Sequence, residues 1–463
     1  MHRLLHALLI LALVGLASAR PNLLLITVDD MSRDSVGSFG SPIPGITPHI
    51  DRLAGEGLSF DQAFVTIAIC QPTRAVWMTG RYPHRSGALG FDPIDKDVPA
   101  LPEALQAGGY HTTLLGKDHH VLPSRHAAFD IIRQQKELGQ GRSPEHYARE
   151  VKAAIAAAEK ADKPFFIMAN AHDPHRPFAG SPSDRYHSQP FPKAFEPKDI
   201  PVPGFLPDLP DIRKELATYY QSVHRADQVV GAILGSLEAA GHTEDTLVIF
   251  MSDHGMPLPY AKTNCYLAST ATPWIVRWPG VVKPGTRDSK HMISGIDLAP
   301  TLLDAAGLPE LPGADGRSTV PLMKGKAQDG RGRVFTMINR TNGKREYPMR
   351  ALNDGRFLYI WNGWADGETV FKNESQAGLT FKAMKNAGDA AIQGRARYFQ
   401  YRCTEELYDL SEDPDCLKNL IEKPNDQWSP RTSAMTKALW HWMKATEDPQ
   451  IRRFQSQVEL ALD

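Results

Sequence analysis

The sequence is sparing in three respects: it has four cysteines in 463 residues, no excess of charge of either sign, and no long apolar run beyond its N-terminus. Lys and Arg number 52 against 53 Asp and Glu. No global field therefore steers a polyanion such as nucleic acid, and any anion must be held by a local group of cations. The single apolar run, Leu8 to Leu16, is short for a bilayer span. It sits in MHRLLHALLILALVGLASA, between a basic head and a small-residue end. Ala17 and Ala19 fit a cleavage pattern, so residues 1–19 read as a signal peptide. With no other stretch able to cross a membrane, the reading is an exported protein without stable membrane association. It would be periplasmic, secreted or lysosomal according to host. Internal repeats and low-complexity tracts are also missing, and 42% hydrophobic with 23% charged residues excludes a disordered chain.

Few cysteines make each one informative. Export permits disulfides, and Cys403 and Cys416, on either side of ELYDLSEDPD, are the best-placed pair. Cys70 and Cys265 remain, and spacing alone does not decide whether they bridge. The sequons at Asn339 and Asn373 would carry glycans only in a host that glycosylates.

Four short apolar runs each end in polar, mostly ionisable residues. PNLLLITV leads into Asp29-Asp30, and YHTTLL into Gly116-Lys117-Asp118-His119-His120. PFFIMANA leads into His172-Asp173-Pro174-His175-Arg176, and TLVIFM into Ser252-Asp253-His254-Gly255. Such runs read as buried strands of a parallel sheet. Between them lie helical patterns. One opens at Thr47 as cap with Pro48 in the first turn, one covers 148–161, one ends at Gly241, and one covers 296–307 with Asp297 as a possible cap. The alternation predicts an α/β layered domain, in which ligands sit beyond the carboxyl ends of the strands. All four polar clusters fall there. Residues 181–214, rich in Pro, Asp and Lys, read as a long loop on the rim. After about residue 340 two strand-like runs and TEELYDL suggest a small antiparallel sheet, followed by a helix near 431–445. The expected division is 1–19 signal peptide, 20–340 catalytic α/β domain and 341–463 C-terminal subdomain.

Three carboxylates, Asp29, Asp30 and Asp253, would thus converge, an arrangement unfavourable without a cation and suited to a hard one such as Ca²⁺ or Mg²⁺. A lone Asp-Asp pair is more often a turn or helix cap; the second strand end is what tips the reading to metal. Arg74, Lys117 and Lys262 supply cations, and His119 and His172 supply groups that exchange protons. Around a tetrahedral oxyanion, these are the groups that sulfuryl or phosphoryl transfer requires.

Cys70 opens CQPTRAVWMTGR, which resembles the signature of the sulfatase family in its Cys, Pro, Arg, Thr and Gly offsets. Asp29-Asp30, Lys117 to His119, His172, Asp253-His254 and Lys262 match the family's site elements in order, and ELYDLSEDPDCLKNL resembles its C-terminal signature. The resemblance implies an alkaline-phosphatase-like sandwich with a large, mostly parallel central sheet flanked by helices and a smaller C-terminal antiparallel sheet. It further implies that Pro72 and Arg74 mark Cys70 for oxidation to formylglycine (3-oxoalanine) by a separate maturation enzyme. The aldehyde hydrate offers one oxygen to attack sulfur and a second to expel sulfate. Helix N–H groups at Cys70, with the helix beginning near Arg74, would help stabilise the oxyanion. By the same resemblance Asp29, Asp30, Asp253, His254 and the modified Cys70 bind one Ca²⁺. Lys117, Lys262 and Arg74 grip the sulfate, His119 orients the hydrate, and His172 protonates the leaving group. His254 departs from the Asn of many members.

AHDPHRPF, LVIFMSDHGMPLPYAKTNCYLASTATP and YPMRALNDGRFLY are closest to the sulfamidase branch of the family. That branch removes N-sulfate from glucosamine in heparan saccharides, and its likeness implies a sulfated saccharide substrate and a possible homodimer. Lys262 stands where that branch tends to have Arg, keeping the charge but losing the planar fork. The alternatives are an O-sulfatase on sulfated glycans, a phosphomonoester or phosphonate hydrolase of the same fold, and an unmodified sugar-binding protein. Trp361 and Trp364 read as packing residues before sugar-binding ones.

Overall fold

The computed structural model describes residues 20–185, 195–421 and 428–458. The signal peptide read at 1–19 and part of the 181–214 loop lie outside the described residues. Fourteen strands occur among the described residues: β1 (Asn22–Asp29), β2 (Leu58–Phe60), β3 (Ala63–Phe64), β4 (His111–Leu115), β5 (Ile131–Arg133), β6 (Phe165–Pro174), β7 (Thr246–Ser252), β8 (Trp274–Arg277), β9 (Thr286–Asp288), β10 (Ile293–Ser294), β11 (Val334–Arg340), β12 (Glu346–Asn353), β13 (Phe357–Asn362) and β14 (Glu405–Asp409). Eight form one sheet in the order β5-β4-β6-β1-β7-β8-β2-β9. From β5 to β7 every pairing is parallel, so the ends of β1, β4, β6 and β7 share one rim.

β1 shows why this sheet is buried on both faces. Leu24, Ile26 and Val28 belong to one core with residues of helices α1 (Pro48–Gly55), α3 (Pro144–Lys160) and α4 (Pro210–Ala239). Leu23 and Leu25 point the other way, into a core shared with α2 (Cys70–Thr79) and α5 (Leu298–Ala305). A strand with helices on both sides has no polar face, which accounts for the unbroken run NLLLITV.

Two of the expected caps work differently. Thr47 precedes α1 but its hydroxyl accepts from Gly37 N and donates to Asp51. The free N–H groups of His49 and Ile50 go instead to Asp227 of α4. Asp297 binds Ser294 N and Arg317 N and pairs with Arg331 rather than capping α5.

The small sheet is antiparallel, in the order β11-β12-β13-β14, with β11 the strand that the sequence pattern did not announce. Its side chains continue the first core. Trp361 and Trp364 are buried there, as packing residues. Helix 429–445 lies on this sheet. No disulfide joins the cysteines. Contrary to the expected bridge, Cys403 Sγ donates to the Glu405 carbonyl while Cys416 is buried with its thiol toward Pro414. Neither sequon offers a loose amide: Asn339 is buried, and Asn373 Nδ2 donates to the Lys262 carbonyl. No helix among the described residues is long and apolar enough to cross a membrane.

Candidate active site

The rim brings the candidates together through backbone geometry at each strand end. β1 and β7 stay in register up to Val28 opposite Ser252, so the acids that follow are neighbours. Asp30 adopts a left-handed backbone (φ 67°), and its N–H donates 3.0 Å to Asp253 Oδ1. β4 is followed by Gly116 (φ 72°) and Lys117 (φ 52°). A side chain on Gly116 would meet Asn170 O at 2.7 Å, so only glycine lets the chain turn there. β6 runs on through His172 to Pro174, past the expected end.

Cys70 is the first residue of α2, not a residue ahead of it, and follows the extended Ile69. The helix starts four residues earlier than expected, and Cys70 lies at its N-terminus, buried. Its Sγ is 3.5 Å from His254 Nε2. Asp29, Asp30, Cys70 and His254 each place a donor atom within 4.8 Å of the others. Asp253 Oδ1 stands 3.7 Å from the same His254 nitrogen.

Each acid of the cluster has its own cation: Lys117 pairs with Asp29, Lys262 with Asp30 (3.0 Å), and Arg74 with Asp253 (3.1 Å). Arg74 is wholly buried and also donates to Thr27 (3.1 Å) and Asn170 (2.7 Å). Its fork therefore supports Asp253 from behind. His172 Nδ1 lies 3.5 Å from Asp29 Oδ2. His119 is not drawn into this cluster. Its side chain is 58% exposed, beside Asp118 at 4.0 Å, with its ring tilted against that of the half-buried His120.

The electrostatics point to a missing positive charge. Burial, with the neighbouring Glu374 and Asp253, raises the Asp30 carboxyl to about 8 against the pull of Lys262. Burial works against the Lys262 ammonium too, but Asp30 and Glu374 outweigh it and hold its pKa well above the lysine range. Burial also lowers Lys117 to about 7 and His254 to about 4, and it pushes the Cys70 thiol up. His254 Nδ1 donates to Gly255 O (3.0 Å), which leaves Nε2 an unprotonated lone pair facing Asp30 Oδ1 at 3.3 Å. Asp29 Oδ1 is buried without a hydrogen-bond donor. Lone pairs turned on one another in a dry pocket are what a bound cation resolves.

The sulfatase family profile matches residues 21–308. Over 95% of its length the chain is 32% identical to the N-sulphoglucosamine sulphohydrolase of Homo sapiens, covering 93% of that protein. The chain belongs to the sulfatase family. It is a hydrolase by that membership and by the buried Asp, His and Cys cluster able to coordinate a divalent metal. Solved structures share the fold. One is a protein in complex with its substrate D-glucosamine-2-N,6-O-disulfate (TM-score 0.69, 19% identity, 93% of this chain and 99% of that one). Another is the phosphonate monoester hydrolase of Agrobacterium radiobacter (TM-score 0.70, 20% identity, 92% and 96%).

Three residues packed against this cluster escaped the sequence reading. Asn170 ties three strands together, accepting from Thr27 and Arg74 and donating to the carbonyls of Leu115 (3.1 Å) and Gly116 (3.2 Å); its signal was a lone amide inside an apolar run. His175 stacks on His172, ring centres 4.6 Å apart, and its signal was the second histidine of HDPH. Glu374 reaches Lys262 at 2.9 Å and His175 at 3.5 Å from the C-terminal region. Nothing in its sequence context marked it.

Proposed function

We propose that this sulfatase hydrolyses the N-sulfate of glucosamine residues in heparin- or heparan-sulfate-derived saccharides. The observation that carries the reading is the likeness to the N-sulphoglucosamine sulphohydrolase along nearly the whole of both chains. The donor set fits a hard divalent ion, taken as Ca²⁺, with Asp29, Asp30, Asp253, His254 and residue 70 holding it. When bound, that ion supplies Lewis acidity and takes over neutralisation of the carboxylates, leaving Lys117 and Lys262 for an anionic substrate. Cys70, once oxidised to 3-oxoalanine by a maturation enzyme of the host, would supply the oxygen nucleophile.

The chain's other residues then have plain tasks. Lys117 and Lys262, both buried at the cluster, hold the sulfate oxygens as point charges, and Arg74 fixes Asp253 in place. His172, held against Asp29, donates the proton to the departing nitrogen. The resemblance gives the proton released when sulfate leaves to His119, and its exposed ring would have to turn inward from the rim to take it. Cleavage of a leader over 1–19 and export complete the reading.

The test is sulfate release from defined heparin disaccharides by protein made together with the maturation enzyme. Release from N-sulfated glucosamine is expected. Cleavage of O-sulfated sugars alone would replace this reading with that of an O-sulfatase, and preference for a phosphonate or phosphate ester with that of the fold's phosphorus chemistry.

A further inference from the structure

A carboxylate beside a sulfate-binding site repels the substrate, so Glu374 needs an explanation. It opens a turn at Glu374–Gln376 and lines a cleft of about 470 Å³ together with Phe91, Lys262, Arg345, Lys372 and Asn373. Its side chain is 40% exposed, turned into the cleft rather than sealed in the core. Lys262 already has Asp30 at 3.0 and 3.1 Å, and an anionic substrate would take that place in the loaded site, so Glu374 is a further carboxylate there. The turn does not need it. Asn373 Nδ2 donates to Lys262 O (3.2 Å), Ser375 Oγ to Asn373 Oδ1 (2.8 Å) and Gln376 Nε2 to Phe371 O (3.0 Å), all without the Glu374 side chain. Burial opposes its charge, but Lys262 and His175 keep it ionised, well below the usual glutamate range.

The leaving group supplies the reason. An O-sulfate departs as a neutral alcohol and gains nothing from a nearby anion. A sulfamate consumes water, breaks its S–N bond and yields sulfate and an amine, which takes up a proton to become an ammonium: R–NH–SO₃⁻ + H₂O gives R–NH₃⁺ + SO₄²⁻. We propose that Glu374 is a specificity-determining residue that receives the amine as it becomes cationic, selecting sulfamates over sulfate esters. The position suits this, since Glu374 contacts His175, which stacks on the proposed proton donor His172. The inference rests on the N-sulfate reading.

The experiment compares matured wild type, Glu374→Gln and Glu374→Asp on glucosamine N-sulfate and on 4-nitrophenyl sulfate, whose leaving group never becomes a cation. The ratio of kcat/KM for the sulfamate to that for the aryl sulfate should fall about tenfold or more in the Gln variant, as expected when a charged contact to the leaving group is lost. The Asp variant should recover part of it. Inhibition by glucosamine should weaken in the Gln variant while inhibition by N-acetylglucosamine does not. An unchanged ratio, with both substrates losing equally, would show that Glu374 acts only through Lys262 and would overturn the proposal. A wild type that cleaves the aryl sulfate but not the sulfamate would instead overturn the N-sulfate reading, and this role with it.

Discussion

Two buried charge networks in this molecule are built on opposite plans. In the small sheet, Arg350 pairs with Asp448 through two nitrogens and two oxygens, and its remaining nitrogen donates to the carbonyls of Ile338 (3.1 Å) and Met349 (2.8 Å). At the rim of the large sheet, Asp29 Oδ1 has no donor, and lysines rather than arginines balance Asp29 and Asp30. A planar fork fixes one partner, whereas an ammonium is a point charge that can turn to a new anion. The first network closes a fold. The second leaves a buried carboxylate oxygen unmatched, in a cluster able to coordinate a divalent metal.

That contrast can be broken at several points. Replacing Cys70 by Ala should cost the most, a loss on the order of 10³-fold or greater in kcat/KM as for other nucleophile deletions, with thermal stability nearly unchanged. Arg350→Met should do the reverse. Stranding Asp448 is expected to cost about 3–5 kcal/mol in a denaturant titration, with activity per folded molecule preserved. Asp29→Asn should destabilise the apo protein, because it leaves the buried Lys117 without its carboxylate. It should also lose most of the stabilisation by Ca²⁺, which in wild type amounts to about 2.7 kcal/mol at a hundredfold excess over Kd. Melting curves with and without Ca²⁺ decide this; equal Ca²⁺ responses in both proteins would remove Asp29 from the metal site.

The smallest effect concerns a third buried acid. Burial raises Asp227 from 3.8 to about 7, against the N–H groups of Ile50 and His49 that favour its charge. Folded protein therefore binds more protons than unfolded protein between those values. The contribution of Asp227 to stability is present below about pH 4 and is lost as pH rises through about 7. Asp227→Asn should flatten that part of the stability–pH curve, and an unaltered slope would place the pH dependence elsewhere.

The legible parts of this protein are those where chemistry and periodicity coincide. Four apolar runs ending in ionisable residues sufficed to predict one sheet rim, because a strand buried on both faces has no polar positions before its end. Cys70 was singled out by its resemblance to the family signature at Pro72 and Arg74, and the structure places it beside the acids. What escaped depends on contacts between segments remote in sequence. Glu374 comes to Lys262 from the far end of the chain, β11 is recognised as a strand by its pairing with β12, and Asp227 caps a helix 178 positions away. The single position of Arg74, behind Asp253 rather than open to the cleft, likewise follows from Asn170 and Thr27, which no motif couples to it.

The central claim is that the rim encloses one hard cation beside an oxidised residue 70. The most direct measurement is a crystal structure of the matured protein with Ca²⁺, supported by metal analysis of the same sample. One ion per chain is predicted, ligated by Asp29, Asp30, Asp253, His254 and a residue 70 that has exchanged sulfur and two hydrogens for one oxygen. Two ions per chain, or an ion held elsewhere while Lys117 and Lys262 keep their pairings with Asp29 and Asp30, would contradict it.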